Sequence, residues 1–203
     1  MYPNPESITR VTSIGAGPIG AGWTAHFLAR GYDVTAYLHA ASETDAFMSI
    51  LKTAWISLTD LGLAPGASLD RLRISTDLED ALAGAEFVQE SGPERLDIKQ
   101  ALYARMGAIL SPSVVIGSST SGLMMSDIQA DCPTPERTVI GHPFNPPYLL
   151  PLVEIVGGKK TAPEAVVWAG EFYKIAGKAP LMMKKEIPGF VATRLQEALW
   201  REA

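Results

Sequence analysis

The sequence is poor in cysteine, has no clustered basic surface and has no composition typical of a membrane-spanning chain. Cys132 is the single cysteine among 203 residues, which excludes an internal disulfide and favours a reducing compartment. The formal charge of −5 argues against nucleic-acid binding. Residues 1–10 do not contain the basic start and apolar run of a signal peptide. The expected compartment is therefore the cytoplasm, with neither a membrane nor a nucleic acid as partner.

The remaining composition is that of a folded domain. Apolar residues make up 47% of the chain and charged residues 19%, which is typical of soluble globular proteins. A chain of this length can bury one substantial core, or one domain together with the start of another.

A glycine-rich segment near the N-terminus predicts a nucleotide site. The short β-branched run 10–14 leads directly into it, and apolar residues follow at helical spacing, so the order is strand, turn and helix. Gly15 would permit the tight turn, Gly17 would admit a pyrophosphate to the backbone, and Gly20 would let the helix pack on the strand. The helix N-terminus would offer N–H groups to the phosphates. This arrangement favours dinucleotide binding over a simple tight turn, and the segment comprises Gly15, Ala16, Gly17, Pro18, Ile19 and Gly20.

Strand and helix patterns alternate along most of the chain. This alternation predicts an α/β fold, a Rossmann-type doubly wound and mostly parallel sheet. A helical hairpin is predicted as an insertion after the second strand, with Ser42 and Asp45 capping its first helix. After the first strand, further strands are predicted at residues 33–38, 73–75, 85–89, 114–117, 139–141, 152–156 and 179–183.

The last predicted helix begins at Pro188 and carries an apolar stripe from Phe190 to Leu199. It has no capping signal where the sequence ends. We interpret it as the first helix of a second, helical domain, so that residues 1–187 form the nucleotide-binding domain and residues 188–203 begin the next one.

The segment 141–156 has the features of an active site. His142 and Asn145 lie on a loop stiffened by prolines, and Glu154 follows on a short buried strand. A carboxylate at that place could hold one imidazole nitrogen of His142, fix its tautomer and leave the other nitrogen to a substrate. The alternative is a proline-rich connection whose one histidine has a structural role and makes its hydrogen bonds within the protein. The hydroxyl-rich loop 118–121 follows another strand, where it could bind a ligand or simply cap a helix.

These motifs together resemble the 3-hydroxyacyl-CoA dehydrogenase family over nearly the whole chain. The resemblance implies hydride transfer to NAD, with His142 taking the proton of a secondary hydroxyl and Glu154 supporting the imidazole. It also implies that Ser121 touches both the substrate and the nicotinamide. The matching segments are the glycine turn, 90–94, 118–121, 142–146, Glu154 and 189–191.

The resemblance also implies further cofactor contacts and an oligomeric state. Asn145 is expected to hold the nicotinamide side, and Glu94 and Lys99 match other cofactor contacts. The family completes its substrate pocket with a C-terminal helical domain, through which a homodimer is expected. We therefore expect residues 1–203 alone to be nearly inactive.

The substrate implied by the resemblance is a small 3-hydroxy acid, with L-carnitine expected. Ser119 stands where the hydroxyacyl-CoA branch usually carries Asn, and the hairpin offers only Lys52 and Arg71 to the phosphates of CoA. The alternatives are a 3-hydroxyacyl-CoA, L-gulonate, or a catalytically weak binding protein like the crystallin relative.

Two residues depart from the family pattern. Thr193 stands where many relatives carry an Asn that helps to polarise the substrate oxygen. Leu38 ends the second strand, where NAD-binding proteins normally carry an acid for the ribose hydroxyls. The nearest downstream acids are Glu43 and Asp45, beyond the strand. We therefore expect weak NAD binding, which Leu38→Asp should tighten.

Overall fold

The computed structural model describes residues 2–203 and contains one twisted sheet of eight strands. The strands are β1 Arg10–Ile14, β2 Asp33–Tyr37, β3 Leu72–Ser75, β4 Phe87–Glu90, β5 Val115–Ser118, β6 Thr138–Pro143, β7 Leu152–Gly157 and β8 Ala179–Met182. Their spatial order is β3-β2-β1-β4-β5-β6-β7-β8. All neighbours pair in parallel except β6 and β7, which are antiparallel. The predicted mostly parallel sheet is confirmed.

Helices cover both faces of this sheet. They are α1 Pro18–Ala29, α2 Thr44–Leu61, α3 Leu78–Leu82, α4 Leu96–Ile109, α5 Met125–Ile128, α6 Pro163–Ile175 and α7 Ala192–Glu202. Short 3₁₀ turns lie at Pro5–Ser7, Ala41–Glu43, Leu69–Arg71 and Pro135–Arg137. The predicted hairpin after β2 consists of α2 and the turn Leu69–Arg71.

Two hydrophobic cores result from the alternation of side chains along the strands. Successive residues of β4, Phe87 and Val88, belong to different cores, as successive residues of a strand must when both faces are covered. One core contains buried residues of α1, α2 and α6, and the other contains buried residues of α3, α4 and α5. The chain therefore winds on both faces of the sheet, as the sequence predicts.

The start of α2 differs from the prediction. Ser42 lies inside the 3₁₀ turn Ala41–Glu43 that precedes the helix, so it does not cap the helix with Asp45. Instead, the carboxylate of Glu43 accepts a hydrogen bond from the backbone N–H of Ala40 at 3.2 Å. The capping prediction was wrong because the chain makes an extra turn before the helix begins.

The last helix begins four residues later than predicted. Gly189 has a φ of 72° and Phe190 a φ of 50°, so the backbone is left-handed there and no right-handed helix can start at Pro188. Phe190 is buried in the core between the sheet and the helices α3, α4 and α5, and is not part of a surface stripe. By contrast, the side chains of Leu195 and Leu199 are exposed.

Two features are absent from residues 2–203. None of the helices there has the length and apolar character needed to cross a bilayer. The same residues contain no group of three or more His, Cys, Asp and Glu side chains arranged to hold a metal ion.

Candidate active site

The glycine turn joins β1 to α1, and its backbone leaves no room for side chains at two positions. Gly15 has a φ of 115°, and a Cβ atom there would lie 2.3 Å from the carbonyl oxygen of Ser91. A Cβ atom at Gly20 would lie 2.1 Å from the carbonyl oxygen of Gly15. A Cβ atom at Gly17, however, would meet nothing within 4 Å. The turn is therefore closely packed on its inner side and open above Gly17.

The N-terminus of α1 faces this open space without a side-chain cap. The helix begins at Pro18, and Gly17 at its N-cap position provides no side-chain hydrogen bond. The unpaired N–H groups and the helix dipole at such an end attract anions, phosphates above all. The turn thus has both the space and the polarity that a pyrophosphate requires.

A cavity of about 740 Å³ opens beside the turn. Gly15, Gly17, Pro18 and Ile19 form one wall, and apolar side chains of α4 form another. A cavity of this size and apolar character is suited to a cofactor. Tyr37, His39 and Glu43 line it at the carboxyl end of β2, and Ile98, Ala101, Leu102 and Arg105 line it from α4.

Leu38 does not reach this cavity. Its side chain is fully buried in the same core as Phe47 and Leu51 of α2. Val34 and Ala36 belong to that core as well, so Leu38 continues the inward-facing positions of β2. An acid at position 38 in this conformation would enter the core, which argues against the expectation that Leu38→Asp tightens NAD binding.

His142 and Glu154 lie opposite each other on the antiparallel strands β6 and β7. The imidazole Nδ1 of His142 lies 2.8 Å from Oε2 of Glu154. Both residues are buried, Glu154 completely. Because the carboxylate accepts a hydrogen bond, Nδ1 carries the proton and Nε2 keeps its lone pair for a substrate hydroxyl. The predicted contact between these two side chains is confirmed.

Burial raises the pKa of Glu154, but hydrogen bonds outweigh it and hold the pKa below its usual value. They come from His142 and from the backbone N–H groups of Ala192 and Val191. The two N–H groups donate to Oε1 at 2.9 and 2.8 Å. Glu154 thus stays ionised, and it joins His142 to the first turn of α7. Thr193, half-buried, lies in the same turn.

The loop after β5 is organised by Glu94. Its Oε1 accepts hydrogen bonds from the hydroxyl of Thr120 at 2.5 Å and from the backbone N–H groups of Ser121 and Gly122 at 2.9 and 3.2 Å. The side chain of Ser121 is exposed, with its hydroxyl 3.5 Å from Glu94. Since β5 and β6 are parallel neighbours, Ser121, which follows β5, and His142, which lies at the carboxyl end of β6, are at the same edge of the sheet.

Lys99 does not line the cavity, although the resemblance assigns it to the cofactor. Its ammonium group is buried and donates to Glu90 Oε1 and Oε2 at 2.7 and 3.0 Å. Glu94 is more distant, at 3.8 Å. Glu90 also accepts hydrogen bonds from Ser118 and from the backbone of Gly92. Lys99 therefore neutralises a buried carboxylate beneath the loops that surround the site.

Asn145 lies on the exposed loop after β6. The contact that holds this loop in place was not predicted from the sequence. Lys178, itself buried, donates to the carbonyl oxygens of Pro147 and Leu150, the latter at 3.2 Å. Burial lowers the pKa of Lys178 to about 8. Its ammonium also lies 5.0 Å from the ring centre of Trp23. Because the loop and Lys178 are 28 or more residues apart, no local pattern could have revealed this contact.

Ser119 is the centre of a second network that sequence reasoning missed. Its hydroxyl accepts hydrogen bonds from Trp23 Nε1 at 3.2 Å and from Gln89 Nε2 at 2.8 Å. It also lies 2.8 Å from the hydroxyl of Ser91. These bonds connect α1, β4 and the loop after β5.

Residues 10–187 match a family described as the NAD binding domain of 3-hydroxyacyl-CoA dehydrogenase. The chain belongs to the 3-hydroxyacyl-CoA dehydrogenase family. This membership agrees with the fold and with the fit of the glycine turn to a dinucleotide, and the cofactor of the family domain is NAD.

Relatives in this family are similar over nearly the whole chain. L-carnitine dehydrogenase of Streptomyces coelicolor is 58% identical over 98% of the chain and 63% of its own length. L-carnitine dehydrogenase of Pseudomonas putida is 50% identical over 99% of the chain and 63% of its length. Among solved structures, 3-hydroxybutyryl-CoA dehydrogenase from Escherichia coli is 31% identical with a TM-score of 0.88, over 97% of this chain and 42% of that one. The chain thus spans about three fifths of the length of these curated relatives.

Proposed function

We propose that this protein is an NAD-dependent dehydrogenase that oxidises the 3-hydroxyl of a small hydroxy acid, L-carnitine. The observation that carries the proposal is the buried pair of His142 and Glu154 at the edge of the sheet where the nucleotide cavity opens. The identity of 58% with an L-carnitine dehydrogenase supports this choice of substrate.

His142 acts as the general base. Glu154 fixes the protonated Nδ1, so Nε2 receives the proton from the substrate hydroxyl. The positive charge that then forms on the imidazole is balanced by the ionised carboxylate. When bound at the glycine turn Gly15–Gly20, NAD would supply the acceptor for the hydride on the carbon that bears this hydroxyl. Ser121 contacts the substrate oxygen and the nicotinamide, and Asn145 holds the nicotinamide side.

The remaining site residues bind or support the cofactor. The glycine turn binds the pyrophosphate through Gly15, Gly17, Pro18, Ile19 and Gly20. The open space above Gly17 supports this assignment. Glu94 holds the Ser121 loop in contact with the nicotinamide half. Lys99 acts on that half indirectly, since its ammonium is 3.8 Å from Glu94 and bound to Glu90.

We also propose how the chain is organised and where it works. Residues 1–187 form the NAD-binding domain and residues 188–203 begin a helical domain through which a homodimer forms. The exposed side chains of Leu195, Leu199 and Trp200 on α7 support such an interface. The single buried thiol of Cys132 is compatible with the reducing cytoplasm.

NADH formation with L-carnitine tests the proposed reaction, and it is measured on the protein that includes the C-terminal helical domain, because residues 1–203 alone are expected to be nearly inactive. The substitution His142→Asn should lower the rate by a factor on the order of 10² to 10⁴, since it removes the base. Glu154→Gln should lower the rate less, and NAD affinity measured by calorimetric titration should stay close to wild type in both variants. The role of His142 would be refuted by loss of NAD binding in His142→Asn. The substrate would be wrong if NADH formed with a 3-hydroxyacyl-CoA or L-gulonate and not with carnitine.

A further inference from the structure

The carboxyl end of β2 presents a different set of side chains to the cavity from the one that dinucleotide sites of this class normally have. A carboxylate at the end of the second strand usually accepts hydrogen bonds from the adenosine ribose. Here that position is Leu38, which is buried in the core. The cavity is lined instead by Tyr37, His39 and Glu43. Of these, only Glu43 carries a carboxylate.

Glu43 is held in place by its own backbone neighbourhood. It ends the 3₁₀ turn Ala41–Glu43, and its Oε2 accepts the N–H of Ala40 at 3.2 Å. This bond orients the side chain, and the other carboxylate oxygen accepts no hydrogen bond from residues 2–203. The carboxylate is half-buried at the cavity wall. It is thus an oriented acceptor beside the end of the second strand.

We propose that Glu43 is the residue that recognises the adenosine ribose and selects NAD over NADP. The inference rests on the proposed function in that it takes the cavity as the NAD site. A carboxylate can accept hydrogen bonds from the ribose 2′- and 3′-hydroxyls, and it repels the 2′-phosphate of NADP. The acid that contacts the ribose is thus located in the turn after β2 and not at the end of the strand.

The other charged side chains of the cavity wall determine how NADP would bind if the Glu43 charge were removed. Arg105 lines the cavity from α4, and its side chain is exposed and has no hydrogen bond or ion pair within residues 2–203. His39 lies on the same side as Glu43. Without Glu43, the remaining charged side chain on the cavity wall would be a cation, and a 2′-phosphate would be attracted. Removal of the Glu43 charge should therefore weaken NAD and strengthen NADP.

The test compares Glu43→Gln with Asp45→Asn. The glutamine keeps an acceptor for the N–H of Ala40, so the turn is preserved while the charge is lost. Asp45 is an exposed acid two residues away that does not line the cavity, and Asp45→Asn changes the net charge by the same amount. Dissociation constants of NAD and NADP are measured by calorimetric titration, and thermal unfolding checks that both variants are folded.

We expect Glu43→Gln to weaken NAD binding by about tenfold and to tighten NADP binding, whereas Asp45→Asn leaves both unchanged. Unchanged NAD affinity in Glu43→Gln would overturn the inference. Equal losses in the two variants would overturn it too, because they would indicate a general charge effect. If the wild-type protein bound neither nucleotide, the proposed function itself would fail along with this inference.

Discussion

Leu38→Asp is the substitution for which the sequence and the structure predict opposite results. The family pattern predicts tighter NAD binding, because an acid would occupy its usual place. In the structure the Leu38 side chain is fully buried and packs in the core with residues of α2. We therefore expect the variant to unfold more easily and to gain no affinity for NAD.

The magnitude follows from the burial of the side chain. Removing a buried leucine costs about 2 to 5 kcal/mol through lost packing and the cavity left behind. A carboxyl group without partners in the core adds about 1 to 3 kcal/mol even when it is protonated. The sum, about 3 to 8 kcal/mol, is comparable with the whole stability of a typical domain.

The free energy of unfolding is measured by urea denaturation at several pH values, with Leu38→Asn as the uncharged control. Burial raises the pKa of a carboxyl group, so the new carboxyl in the folded Leu38→Asp variant binds its proton more tightly than it does in the unfolded chain. Below the unfolded pKa of about 3.9 the two variants should be equally stable. As the pH rises above that value, Leu38→Asp should lose up to about 1.4 kcal/mol per pH unit relative to Leu38→Asn, until the folded pKa is passed. Wild-type stability together with tighter NAD binding would refute the reasoning.

Two further predictions concern buried charges. Lys99→Met leaves Glu90 as an unpaired buried carboxylate, so urea denaturation should show a loss of about 3 to 5 kcal/mol, whereas Lys52→Met on the exposed surface of α2 should change little. Burial lowers the pKa of His26 well below its usual value, so its contribution to stability is complete above pH of about 6.5 and is lost as the pH falls towards the folded pKa. His26→Gln should flatten this acid dependence in denaturation curves, and an unchanged slope would contradict the assignment.

The sequence was sufficient for the sheet and the glycine turn because both depend on local patterns. Short apolar runs bounded by turn residues give strands, and a glycine with positive φ between a strand and a helix, as at Gly15, has few structural alternatives. The pairing of His142 with Glu154 was also predictable. The loop between them is long enough to reverse the chain, and the reversal places two neighbouring antiparallel strands side by side.

The orientation of Leu38 was predictable in principle. Side chains alternate along a strand, and Val34, Ala36 and Leu38 share one parity, which is apolar, whereas Thr35 and Tyr37 have the other. The family pattern specifies the residue type at this position, whereas the direction of the side chain follows from the alternation along the strand. The parity itself assigns Leu38 to the core.

Contacts between distant segments could not be predicted from any local pattern. The buried pair of Lys99 and Glu90 connects a helix to the strand before it, and Lys99 lies on the buried face of that helix together with Tyr103 and Met106. Likewise, Lys178 supports the loop of Asn145 from the start of a strand far along the chain. Such buried cations are stable only because the complete fold provides acceptors for them.

Glu154 determines how firmly the imidazole of His142 is oriented, because both of its carboxylate oxygens are used. Oε2 bonds the imidazole, and Oε1 accepts two N–H groups at the start of α7. Rotation of the carboxylate towards or away from His142 would break bonds to the helix at a fully buried position, where a lost hydrogen bond is costly. The helix thus holds the carboxylate, and the carboxylate holds the base. The tautomer of His142 is therefore fixed by the tertiary structure, and a substitution that displaces the first turn of α7 acts on the base without touching it.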